Sequence, residues 1–204
     1  MEEQKNHKRH PILLICFCVI FSFLALEILL RGFYFVFPRR TTLVWHEDEK
    51  VGRRLVPNQK GMFVSNTKEY TALIETNSAG WRDAEHKVEK PQDVYRILIL
   101  GDSFVENFQV PFEKTFFKQA EQVLKEKITD KKIEIIAMGM GDTGTAQQYL
   151  ALTNYGLAYN PDLIVHFFFT GNDVKNNSKI LNGDPYRPYF SLQDGELVKT
   201  PFVT

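Results

Sequence analysis

Three apolar runs, each followed at once by glycine or polar residues, dominate the pattern of the second half of the chain. The runs cover residues 94–100, 132–138 and 163–169. Runs of this length and composition predict buried strands of a parallel sheet. Between them, residues 113–128 and 145–157 carry apolar positions at helical spacing. The alternation of strand and helix predicts an α/β fold built on a doubly wound sheet.

The residues that follow the three strands are the candidates for chemistry. In an open parallel sheet the carboxyl ends of the strands share one edge, where ligands bind. We therefore expect Ser103, the loop 139–144 and Asn172 to lie close together. A hydroxyl, a glycine-rich backbone and an amide are the parts of an acyl-transfer site, namely a nucleophile and hydrogen-bond donors for an oxyanion.

The same residues form three motifs that resemble those of the SGNH hydrolases, also called the GDSL esterase and lipase superfamily. In chain order, the matched tripeptides are Gly101-Asp102-Ser103, Gly141-Asp142-Thr143 and Gly171-Asn172-Asp173. Gly144 is an alternative register for the second motif, and the asparagine that often precedes this motif is absent. No residue of the chain matches the family's fourth motif, a late Asp-x-x-His.

The resemblance implies a flavodoxin-like three-layer α/β sheet and a serine-dependent ester hydrolase without cofactor or metal. Ser103 would be the nucleophile, and the oxyanion hole would consist of the backbone N–H groups of Ser103 and Gly141 and the side-chain amide of Asn172. The base would be a histidine beyond Thr204. Four residues would support the turns: Gly101, Asp102, Gly171 and Asp173.

The resemblance leaves the reaction and the substrate open. A small ester, an acylated carbohydrate or a lipid would suit a membrane-anchored hydrolase, and an O-acyltransferase acting on surface polysaccharide is an alternative. A catalytically inactive fragment or an envelope scaffold that binds acylated sugars is the rival from another class. Gly139, Gly141 and Gly144 also spell the Gly-x-Gly-x-x-Gly of nucleotide-binding loops, but they follow a middle strand and no Walker lysine is present.

The run 163–169 predicts a central strand, because it is apolar on both faces. In a flavodoxin-like order its second neighbour would come next in the sequence, and none follows. We therefore expect a C-terminally incomplete domain, the product of truncation, with coverage of this edge by something else as the alternative. Alternating residues around Asp194-Gly195 predict a hairpin at the rim of the cleft.

Five histidines bear on the missing base. His7 and His10 belong to the N-terminal tail, His46 is expected at the surface, and His166 is expected in a core strand. His86 closes an Asp-x-x-His sequence that begins at Asp83, but this sequence precedes the first strand of the sheet. A structural role is expected for it, and a role as a substitute base stays open.

The chain before the sheet divides into three segments: a tail (1–10), an apolar segment (11–37) and a β-rich lead-in region (41–92). Residues 93–204 form the partial hydrolase domain. Residues 12–30 are apolar apart from Ser22 and Glu27, long enough for a transmembrane signal anchor. A cleaved signal peptide is the alternative. We expect the short tail inside the cell and the large domain outside the cytoplasm.

Charge and cysteine content add little to this interpretation. The 25 basic and 25 acidic residues balance, so no nucleic-acid partner is indicated. The two cysteines, Cys16 and Cys18, both lie in the apolar segment, so no disulfide is expected in the large domain.

Overall fold

The computed structural model describes residues 11–36, 43–65, 67 and 69–200, so the tail with His7 and His10 lies outside the described residues. The chain forms two compact units, residues 1–39 and 40–204. The first contains helix α1 (Pro11–Val36), in which Leu14–Phe33 is long and apolar enough to cross a membrane. A signal sequence would pass the same test of length and composition. Arg31 donates to Glu27 one turn earlier at 2.8 Å, as their spacing predicts.

The lead-in region forms two antiparallel hairpins, as its alternating pattern predicts. The first pairs β1 (Trp45–Asp48) with β2 (Gly52–Leu55), and the second pairs β3 (Lys60–Val64) with β4 (Thr71–Glu75). A small apolar core joins them to the domain, and its buried members are Leu43, Leu55, Ala72, Ile74 and Phe108.

The second unit is organised around a parallel sheet of three strands. They are β5 (Val94–Gly101), β6 (Lys132–Gly139) and β7 (Leu163–His166), in the spatial order β6-β5-β7. Successive side chains of β5 and β6 point to opposite faces, and each face has its own apolar cluster. Helix α3 (Phe116–Lys127) packs on one face and helix α4 (Thr145–Asn154) on the other. The mixed α/β architecture with a parallel sheet is therefore confirmed.

Strand β7 differs from its prediction in length and position. It ends at His166, and Phe167 to Phe169 leave the ladder, although the Phe167 N–H still donates to Leu100 O at 2.8 Å. In the described residues β7 pairs with β5 alone, so the central strand is β5. Leu163 and Ile164 are consequently exposed by 44% and 39%.

The helices are shorter than their periodicity predicts. A 3₁₀ turn (Phe112–Lys114) precedes α3, and a second 3₁₀ turn (Gly156–Tyr159) follows α4. Val123 and Tyr149, which lie on the apolar stripes, are about half exposed because neither helix is covered over its whole length. Three further helices have one turn each: α2 (Ser103–Glu106), α5 (Asp173–Asn176) and α6 (Lys179–Asn182).

The predicted hairpin near the C-terminus is present. Strand β8 (Tyr189–Gln193) pairs with β9 (Glu196–Thr200). Asp194 and Gly195 connect them with φ angles of 49° and 86°. Two successive left-handed residues match the twist of a two-residue hairpin turn, which explains the Asp-Gly sequence.

Candidate active site

Ser103 lies directly after the central strand, where β5 turns into α2. The turn is held by Asp102, whose Oδ1 accepts the Phe104 N–H at 2.9 Å. Ser103 is the first residue of α2, so its backbone N–H has no acceptor within the helix. In the described part of the chain the Ser103 hydroxyl has no hydrogen-bond partner, and Ser103 lines a cavity of about 410 Å³. The side chain is free to meet a ligand there.

A glycine at the end of the neighbouring strand allows α2 to lie where it does. Gly139 ends β6, and a Cβ on it would overlap the backbone of Val105 and Glu106. Only glycine, which has no Cβ, leaves room for α2 to lie this close to the end of β6. The position of Ser103 therefore depends on a residue 36 positions later in the chain.

The loop after β6 brings Gly141 to the same cavity. The Met140 N–H donates to Gly101 O at 3.0 Å, which ties the start of the loop to the end of β5. Asp142 follows in the left-handed region with φ 56°, and the Thr143 hydroxyl closes the loop by donating to Met140 O at 2.6 Å. Ser103 and Gly141 both line the cavity, so the strand-edge argument brings these two together as expected.

Asn172 lies after β7 at the N-terminal end of α5, and it is not among the residues that line the cavity. Its Oδ1 is buried without a hydrogen-bond partner. The next residue, Asp173, accepts the Phe169 N–H at 3.0 Å. Burial, together with the charge of Asp102, raises the pKa of Asp173. The role of Asn172 in an oxyanion hole stays a prediction.

His86 is committed to an ionic cluster away from Ser103. Its Nε2 contacts Asp83 at 3.0 Å and its Nδ1 contacts Glu134 at 2.7 Å. Burial acts to lower the pKa of His86, but the hydrogen bonds and charges of the two carboxylates outweigh it and raise this pKa. Glu134 lies five residues before the end of β6, about 16 Å along the strand from the sheet edge that carries Ser103. His86 is therefore not the base of this site.

The other two described histidines form no hydrogen bond with the Ser103 hydroxyl either. His46 is on β1 opposite Arg54, outside the cavity wall. His166 is exposed instead of lying in the core as expected, because β7 is at an edge of the described sheet; its Nε2 lies 2.5 Å from Gln148 Oε1 on α4. Among the described residues, no histidine is hydrogen-bonded to Ser103.

The cavity wall contains residues that the sequence motifs do not indicate. Most come from the lead-in hairpins and from the segment before β8; the aromatic members are Trp45, Phe63, Tyr70, Phe108 and Tyr186. Arg187, 7% exposed, donates to Asp142 Oδ2 at 2.9 Å, and its Nη1 is buried without a partner. No sequence signal links these segments to the motifs, because their meeting depends on how the hairpins pack.

Glu106 is a further cavity residue that the motifs do not indicate. It lies one turn after Ser103 on α2, lines the same cavity and is 5% exposed. Burial raises the pKa of Glu106 to about 8, although the Gly141 N–H and the charge of Arg82 act in the opposite direction. Recognising a helix that begins at Ser103 would have placed Glu106 beside it, because residues three apart share a helix face.

No protein-family model matches the chain, and no curated protein matches it either. Among the described residues, no group of three or more histidine, cysteine, aspartate or glutamate side chains is arranged to hold a metal ion. Function is therefore inferred from the cavity and the residues that line it.

Proposed function

We propose that the chain is a membrane-anchored, serine-dependent ester hydrolase of the SGNH type, acting on O-acyl esters of carbohydrate or lipid. One observation carries the proposal: the unpartnered Ser103 hydroxyl lies at the carboxyl end of the central strand, in a cavity that Gly141 also lines. A nucleophile at this edge, with a glycine backbone opposite, is the arrangement that acyl transfer needs.

In the proposed reaction the Ser103 oxygen attacks the ester carbonyl carbon, and the carbonyl oxygen takes the electron pair of the C–O double bond. The N–H groups of Ser103 and Gly141 stabilise that oxygen; the resemblance adds the Asn172 amide, which is not among the residues that line the cavity. The alcohol then leaves, and water releases the acyl group from Ser103. By the resemblance, the base that accepts the serine proton would be a histidine, and none of the described histidines is hydrogen-bonded to Ser103.

The cavity is consistent with a small ester or an acylated carbohydrate. A volume of about 410 Å³ lies at the lower end of the range for small-molecule sites. Aromatic side chains from the lead-in hairpins line one part and polar side chains line another. Such a mixture binds a ligand that has both apolar faces and hydrogen-bonding groups.

Helix α1 would anchor the enzyme as a single-pass protein with the large domain outside the cytoplasm. The length of α1 supports a membrane span. The large domain is placed outside the cytoplasm because the N-terminal tail before α1 is short and is expected to stay inside. Protease treatment of intact cells should digest the large domain and spare the tail. Protection of the domain in intact cells would reverse the proposed orientation.

A second candidate is a non-catalytic envelope protein that binds acylated sugars in the same cavity. The observation that favours it is the position of the described histidines, none of which is hydrogen-bonded to Ser103. A serine without a base is a poor nucleophile. The two candidates differ in whether Ser103 reacts.

The test is covalent labelling of the full chain, in detergent or native membranes, with a fluorophosphonate probe, followed by turnover of a small acetyl ester. We expect labelling and turnover in the wild type and neither in Ser103→Ala. Ser191→Ala, in the β8 hairpin, is the matched control and should behave as the wild type. A wild type that binds acylated sugar but is neither labelled nor active would favour the binding protein.

A further inference from the structure

Glu106 places a buried carboxyl beside the candidate nucleophile. The two residues are the first and last of the single-turn helix α2, and both line the cavity with Gly141. Glu106 is 5% exposed, whereas glutamate side chains are normally solvated. A buried acid at this place needs either a partner or a function.

No cation pairs with Glu106 among the described residues. Arg82 is the cationic side chain that acts on it through its charge. The Arg82 guanidinium donates to three backbone carbonyl oxygens. They are Glu106 O at 3.1 Å, Val110 O at 2.6 Å and Asn107 O. A carboxyl that is buried without an ion pair is held in its neutral form, because burial penalises the charged form.

The Glu106 carboxyl lies against Gly141, the residue whose N–H is expected to hold the oxyanion. A Cβ on Gly141 would lie 2.5 Å from Glu106 Oε2. The Gly141 N–H already acts on this carboxyl as a hydrogen-bond donor, and an ionised carboxylate there would repel a second negative oxygen. A neutral carboxylic acid instead offers its own O–H as a donor.

We propose that Glu106 is a catalytic hydrogen-bond donor of this site, which as a neutral acid donates to the acyl oxygen that becomes negative when Ser103 attacks. This inference rests on the proposed function. It assigns the cavity a donor in addition to the backbone groups. It also explains why an acid is buried beside a nucleophile without a cation to pair with it.

Several charged groups face Glu106 or share its cavities. The charges of Asp102 and Arg82 act on Glu106 directly. Glu106 lines the main cavity and a smaller one beside it, and the remaining charged residues of their walls are Arg53, Arg54, Asp142, Asp184 and Arg187. Glu106→Gln retains all of them. A ratio of rates between wild type and Glu106→Gln therefore isolates the ionisation of Glu106 from every other titration.

The test measures the rate of Ser103 labelling by a fluorophosphonate in the full chain between pH 6 and pH 9.5. Its phosphoryl oxygen occupies the place of the oxyanion. The amide of Glu106→Gln is still a donor, so this variant should react within about threefold of the wild type at pH 6 to 7. The ratio of wild type to variant should then fall at least tenfold by pH 9.5, since only the wild type ionises there. Glu106→Leu, which has no donor, should react at least tenfold more slowly than Glu106→Gln at every pH.

Each other result overturns the inference. Equal rates for wild type and Glu106→Gln across the whole range would make Glu106 a structural residue. A Glu106→Gln variant that does not react, beside a wild type that accelerates as the pH rises, would make Glu106 a base. In either case Ser103 is labelled and the proposed function stands. A wild type that is never labelled removes both the function and the inference.

Infrared spectroscopy supplies a readout that does not depend on activity. The wild type at pH 7 should show the carbonyl band of a protonated carboxyl, and the band should be absent from Glu106→Gln. Thermal unfolding of both variants checks that they fold. A wild type without this band at pH 7 overturns the inference whatever the labelling rates are.

Discussion

The carboxylate of Asp83 accepts the backbone N–H of Ala137 in the middle of β6 at 2.7 Å. Asp83 belongs to the segment before the sheet, and its side chain is fully buried. β6 is the outer strand of the described sheet on that side, so the lead-in segment satisfies a ladder N–H that no described strand pairs with. The Asp-x-x-His sequence thus covers a sheet edge instead of supplying a catalytic base.

Removing this carboxylate should destabilise the large domain. Asp83→Ala leaves the Ala137 N–H buried without a partner and takes one carboxylate from His86, at a cost of about 2 to 4 kcal/mol. Urea unfolding followed by tryptophan fluorescence measures it, because both tryptophans lie in this unit. Asp93→Ala is the matched control: its ion pair with Lys132 is largely exposed, so we expect a much smaller change in the free energy of unfolding. Equal effects of the two variants would contradict the role of Asp83.

His86 should make part of the stability depend on pH. Its pKa is raised in the folded state, so its contribution is complete below the unfolded value of 6.5 and is lost as the pH rises through the folded value. The free energy of unfolding should therefore fall from pH 6 upward more steeply in the wild type than in His86→Gln. Ser103 labelling should be unchanged in His86→Gln at pH 7. Loss of labelling in this variant would return His86 to the candidates for the base.

Glu106 should act on stability in the same direction but over a wider range. Its pKa is about 8 in the folded state against an ordinary value of 4.5 in the unfolded chain, so between these values the folded protein holds a proton that the unfolded chain has lost. The free energy of unfolding should fall between these values by up to about 1.4 kcal/mol per pH unit. Glu106→Gln should lack this decline and should be more stable than the wild type at pH 8. Parallel pH profiles for the two proteins would show that the carboxyl is not held neutral.

Gly139 at the end of β6 and Gly141 in the following loop should respond differently to substitution by alanine. In Gly139→Ala the new Cβ meets the backbone of α2, which cannot move aside, so we expect a loss of more than about 2 kcal/mol in unfolding free energy. In Gly141→Ala the Cβ meets the end of the Glu106 side chain, so we expect a smaller loss of stability and at least a tenfold slower labelling of Ser103. A Gly141→Ala protein that labels at the wild-type rate would contradict the place given to Gly141 and Glu106 in the site.

Periodicity and turn chemistry identified most elements before the fold was known. Apolar runs predicted β5 and β6, alternation predicted the hairpins of the lead-in region, and Asp194-Gly195 predicted the hairpin at the end. The meeting of Ser103 with Gly141 followed from a rule about parallel sheets. Local sequence was sufficient here because each of these features depends on its own residues or on connectivity.

Contacts between distant segments were not available from the sequence. The apolar run 163–169 predicts a central strand, yet β7 is at an edge of the described sheet, because position in a sheet depends on the neighbours present. Tyr149 lies on an apolar stripe and is 53% exposed, because periodicity shows which side of a helix is apolar and not how far its cover extends.

The sequence by itself determined the parallel α/β layout, the apolar N-terminal helix and the pairing of a serine with a glycine loop. Hydrogen-bond geometry and apolar spacing are local properties, so residue order encodes them directly. Only the tertiary structure decided that His86 serves the opposite end of β6, that the lead-in aromatics line the cavity, and that Glu106 is buried against Gly141. These three features depend on which surfaces pack together and exclude water. Burial sets the charge of an acid such as Glu106, and it exists only once the chain has packed.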